Sequence, residues 1–69
     1  MRVESEVTGV VCRIEAQAGQ DVAEGDALVL VESMKMEIPI CAERAGTVAE
    51  VLVDVGDMVS DGQVVVVLR

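Results

Sequence analysis

A chain of 69 residues with 13 acidic and five basic side chains has a formal charge of −8. This excludes nucleic acid and anionic membranes as partners, because phosphate binding needs clustered Lys or Arg. More than half of the residues (52%) are hydrophobic, none is Phe, Tyr or Trp, and 16 are Val, so the core must be aliphatic and the class all-β. The longest apolar runs, Ala27 to Val31 and Val64 to Leu68, are far short of the ~20 residues of a membrane span. Met1-Arg2-Val3 leads straight into strand sequence rather than a secretory leader, so the expected location is cytoplasmic. Cys12 and Cys41 are then reduced, and with no His in the chain they make no metal spacing.

Taken in order, Val3 to Val7 alternates with Glu4 and Glu6 and predicts a short first strand. Gly9 to Ala16 predicts a second. Gly19-Gln20-Asp21 and Gly25-Asp26 bracket a very short element at Val22. Ala27-Leu28-Val29-Leu30-Val31 and Ile38-Pro39-Ile40-Cys41 are two further strands around a polar gap, Glu32 to Glu37. Fifteen residues are too many for one straight strand, so the chain folds back about Met34-Lys35. That pairs Ser33 with Met36, Glu32 with Glu37 and Val31 with Ile38. Pro39 then belongs on an edge strand, where no hydrogen bond need be donated.

From Gly46 the chain repeats with an offset of 37. Gly9 falls on Gly46, Val11 on Val48, Gly19 on Gly56, Val22 on Val59, Gly25 on Gly62 and Val29 on Val66, with Ile14 on Val51 and Leu30 on Val67 as conservative pairs. Two such halves should pack as two similar sheets related by a pseudo-two-fold axis. Val64 to Leu68 should be covered on both faces, by the core or by a dimer contact. The counterpart of Lys35 falls past Arg69, so only one half carries the hairpin, and the termini should lie at the far end of the domain from it.

The turn breaks local rules. Two-residue hairpin turns favour Asn-Gly, Asp-Gly or Gly-X because their central residues take positive φ, and Glu32 opposite Glu37 is a like-charge pair. Rule-breaking confined to one point marks function there. Met34-Lys35-Met36 resembles the attachment site of the biotinyl/lipoyl carrier family, in which a lysine at a hairpin tip carries a covalent cofactor. The biotinyl branch reads Met-Lys-Met, as here. The lipoyl branch more often reads Asp-Lys-Ala, which neither flank fits. Ser33 departs from the usual Ala but is also small.

The resemblance covers essentially residues 1–69 as one carrier domain, similar to a short free-standing biotin carboxyl carrier. It implies a flattened β-barrel or sandwich of two four-stranded antiparallel sheets (a barrel-sandwich hybrid), with biotin amide-linked to Lys35. Met34 and Met36, flexible and polarizable, would serve recognition together with Glu32, Ser33 and Glu37. The residues themselves provide no catalytic set: no His, and no Ser or Cys beside a base. A lysine amine is ordinarily protonated at neutral pH, so its acylation requires a separate enzyme, by resemblance a biotin protein ligase using biotinyl-adenylate. The modified domain would then shuttle carboxybiotin between a biotin carboxylase and a carboxyltransferase at high effective concentration. A lipoyl carrier on the same lysine, or an unmodified interaction module, are the alternatives.

Overall fold

Valine and isoleucine, stiff at χ1 and suited to a pleated surface, fall in short runs broken by Gly-Asp, Gly-Gln and Ala-Gly punctuation. In the computed structural model, which describes residues 1–69, these runs form eight strands and no helix. They are β1 (Arg2–Glu4), β2 (Gly9–Ile14), β3 (Asp21–Val22), β4 (Ala27–Ser33), β5 (Met36–Cys41), β6 (Gly46–Val51), β7 (Met58–Val59) and β8 (Val64–Leu68). Two four-stranded antiparallel sheets result, in the orders β1-β8-β6-β3 and β5-β4-β2-β7. They do not close into a barrel; they form a sandwich over one aliphatic core. Pro39 sits on β5, an edge strand as expected.

The sheets are alike, but neither belongs to one half of the chain. Each takes two strands from the first half and two from the second. The chain crosses over at equivalent glycines. Gly19 N–H donates to Val48 O (2.7 Å) while Val48 N–H donates to Gln20 O (2.9 Å), and Gly56 N–H donates to Val11 O (2.8 Å) while Val11 N–H donates to Asp57 O (2.8 Å). The offset of 37 therefore describes hydrogen bonds as well as residue types.

It also reaches further back than the sequence pattern indicates. Arg2 pairs with Val67 as Pro39 pairs with Leu30, and Val3 with Val66 as Ile40 with Val29. Residues 1–32 and 38–69 thus share one plan, and 33–37 is the connector between them. The correspondence is hidden in the sequence because Arg2 and Pro39, or Glu4 and Cys41, share no chemistry.

The core obeys the same offset. Its 16 buried residues form pairs such as Val11 with Val48, Leu28 with Val65, Val31 with Leu68 and Ser5 with Ala42. Ser5 is the one buried polar residue. Its Oγ donates to Val7 O (2.6 Å) and accepts from Val7 N–H (3.3 Å). That local loop competes with the ladder, and β1 ends at Glu4 rather than running to Val7. In β8, Val65, Val66 and Leu68 are buried while Val64 and Val67 are only half covered, so its outer face is partly open. The two cysteines are free and half-buried, Cys12 Sγ lying 3.3 Å from Leu30 O as its donor.

Candidate functional site

The β4–β5 ladder has the register that the sequence predicts, with Val31 opposite Ile38, Glu32 opposite Glu37 and Ser33 opposite Met36. Any one-residue slip would turn the buried Val29, Val31 and Ile40 outwards, which is why the apolar pattern specifies it. The turn is then forced onto Met34 and Lys35, with φ of 52° and 64°. They are the only non-glycine residues with positive φ. Left-handed backbone costs an L-residue roughly 1–2 kcal/mol, and here the paired strands behind it hold it in place.

Close packing secures the base of the hairpin. A Cβ on Gly9 would overlap the carbonyl oxygen of Glu32 and come within 2.8 Å of Val31 Cγ1. Gly9 therefore lets β2 lie tightly under the arm that carries the turn. Sequence reasoning recognised this glycine as part of the repeat but missed its supporting role, since the approach involves a strand distant in sequence.

At the tip all the expected side chains except Ser33 are exposed. Met34 is 89% exposed and Met36 59%. Lys35, Glu32 and Glu37 are exposed, and Ser33 is half-buried at the last pair of the ladder. Lys35 makes no ion pair; the one ion pair of the molecule is Arg13 Nε to Glu15 Oε1 at 3.0 Å. Lys35 is also the only lysine in the chain, a signal available in the composition that strengthens the reading of the motif. The only other amine, the Met1 N-terminus, donates to Leu68 O at 2.6 Å.

The surroundings set what this site can do. No pocket opens at the hairpin tip; the molecule's one groove, about 490 Å³, is lined by Glu15, Ala16, Gln20, Val22, Asp26, Ala27 and Leu30. No group of acidic residues or cysteines could hold a metal ion, and no helix is long and apolar enough to cross a membrane. What the arrangement supplies is one exposed side-chain amine, free of ion pairs, on the turn of a hairpin.

Comparison with known proteins matches residues 1–68 to the family described as "Biotin-requiring enzyme". The chain is 42% identical over 66 residues to the "Biotinylated protein TB7.3 homolog" of Mycobacterium leprae, covering 96% of this chain and 93% of that one. It is 40% identical over 68 residues to the "Biotin/lipoyl attachment protein" of Bacillus subtilis, covering 99% and 93%. Among solved structures, the urea carboxylase of Kluyveromyces lactis matches all of this chain with a TM-score of 0.96 at 35% identity, over 6% of its own length.

Proposed function

Since the chain belongs to the family of biotin-requiring enzymes over residues 1–68, we propose that it is a biotin carboxyl carrier whose attachment point is Lys35. The observation that carries this reading is the single lysine of the chain, exposed on a left-handed turn between two methionines. Residues 1–69 act as one carrier unit, and the chain is not itself a catalyst.

The residues at the tip fit a covalently attached group. No neighbouring side chain covers the amine or competes for it through an ion pair. Lys35 Nζ attacks the acyl carbon of biotinyl-adenylate in a biotin protein ligase. The C–N bond forms, the acyl–phosphate C–O bond breaks, AMP leaves and the amine proton passes to a base of the ligase. Met34 and Met36 offer soft, adaptable contacts to successive partners, and Glu32, Ser33 and Glu37 shape the base of the turn that those partners read. Bound biotin supplies the chemistry of carboxyl transfer. The rigid hairpin restricts where the arm can swing, which raises its effective concentration at a biotin carboxylase and at a carboxyltransferase.

The test is intact mass and peptide mapping after incubation with biotin, ATP and a biotin protein ligase. One biotinyl group on the Lys35 peptide is expected, and none in Lys35→Arg. A wild-type chain left unmodified, or modified only at the Met1 amine, overturns the proposal. Modification only when a lipoate ligase and lipoate are used would assign the lysine to the lipoyl branch instead.

A further inference from the structure

The pseudo-symmetry makes each sheet a control for the other. Across the lysine-bearing sheet, the ladder pairs Glu37–Glu32, Glu32–Val10 and Val10–Met58 place four side chains in one row. The row faces outwards, opposite in sense to the buried Val11, Val31 and Val59. It lies two residues behind the turn, or roughly 7 Å at strand rise. In the other sheet the equivalent of Val10 is Thr47 and that of Met58 is Asp21, paired in the same way. There Thr47 Oγ1 donates to Asp21 Oδ1 at 2.8 Å. One backbone plan thus carries a polar, self-satisfied pair on one face and an exposed apolar pair on the other, with Val10 39% and Met58 71% exposed. The contrast is confined to this row: in the next, Pro39, Leu30 and Arg13 stand where the other sheet has Arg2, Val67 and Glu50, and only the first of these positions differs in polarity. The fold does not require apolar residues at the Val10 and Met58 positions, because its own second copy of the plan has Thr47 and Asp21 there.

We propose that the Val10–Met58 row is the docking surface for the enzyme that acylates Lys35, and that this enzyme presents an apolar patch rimmed by basic side chains to meet Glu32 and Glu37. The proposal rests on Lys35 being the attachment site. Lysine has a four-carbon stem, so an enzyme whose active site reaches Nζ is brought against the body of the domain beside this row. Enzymes acting at the end of a longer, cofactor-extended arm are held further off. A second copy of this chain is the poorer occupant. A symmetric pair would set Glu32 and Glu37 near their own copies and −8 against −8.

The experiment exchanges the two rows. Val10→Thr with Met58→Asp gives the lysine-bearing sheet the pair that the other sheet already accommodates, and Thr47→Val with Asp21→Met is the reverse exchange. Initial rates of acylation by a biotin protein ligase are measured by mass, over a range of carrier concentrations, with thermal unfolding of each variant as a check on folding. For Val10→Thr/Met58→Asp the expected result is kcat/KM reduced by about tenfold or more through KM, as for two apolar side chains losing their burial, with full modification still reached at high ligase. The reverse exchange should be acylated at the wild-type rate. A single Met58→Gln variant should show the same KM effect in smaller degree if the double variant unfolds.

Wild-type kinetics in the folded Val10→Thr/Met58→Asp or Met58→Gln variant, an effect on kcat alone, or equal losses in both exchanges would overturn the docking surface while leaving Lys35 as the attachment site. So would a wild-type dimer that the first exchange dissociates. A wild-type chain that is never acylated at Lys35 would overturn both readings together.

Discussion

The two sheets share strand order, crossover hydrogen bonds and buried positions, yet one ends in a strained turn bearing a lysine and the other holds β8 against β1 by hydrogen bonds alone. Where the halves agree, as at Val29 and Val66 or Gly19 and Gly56, the shared residue is what the sandwich demands. Where they differ at equivalent backbone positions, packing has left the choice open and another requirement has made it. Those beside Lys35 are the turn itself, the two glutamates behind it, and the apolar row next to them; others lie elsewhere, as where exposed Leu52 and Val55 stand against Glu15 and Ala18.

The sharpest way to break this comparison is at its two equivalent glycines. A methyl group on Gly9 overlaps the Glu32 carbonyl oxygen and crowds Val31 Cγ1 at 2.8 Å, whereas on Gly46 it meets the Arg69 carbonyl oxygen at 2.9 Å and Leu68 Cβ at an ordinary 3.7 Å. Gly9→Ala should cost about 3 kcal/mol, in the upper range for overpacking, and lower Tm by about 10 °C or more. Gly46→Ala should cost less, about 1 kcal/mol, at the lower end of the same range. Equal losses in thermal or urea unfolding would mean that the hairpin is no more tightly seated than its counterpart.

A smaller change of opposite sign is expected at the turn. Replacing Met34-Lys35 by Asn-Gly relieves the left-handed strain and should stabilise the chain by about 1–2 kcal/mol while removing the amine. A variant no more stable than wild type by urea unfolding would show that the turn stores no strain. Least of all, Glu37→Gln should add about 0.3 kcal/mol by ending the like-charge pairing with Glu32. That gain should shrink in 1 M salt, where exposed charges are screened; a salt-independent gain would point to packing instead.

Much of this was legible in the sequence because the informative residues are local or repeated. The β4–β5 register follows from apolar alternation on both sides of one polar gap, and Lys35 from its methionine neighbours. The repeat shows in glycines that recur at one spacing. The exchange of strands between halves was not legible, because it depends on which way the chain crosses after Gly19, and a glycine spacing does not specify that direction. The correspondence of β1 with β5 was hidden by unlike outward residues. Met58 carried no signal by itself; it matters only because β7 lies beside β2, a pairing distant in sequence.

The interlocking of the halves also bears on the order in which the molecule becomes complete. Lys35 and both arms of its hairpin are contiguous in the chain, and a hairpin forms in ~1–10 μs. The row beside it is assembled from β2, β4, β5 and β7, so it exists only once the second half has closed on the first. Long-range pairings of this kind are slow, on the scale of milliseconds to seconds in small β proteins. A nascent or unfolded chain therefore displays the lysine motif without the surface next to it, and an enzyme that reads both would distinguish finished domains from unfinished ones.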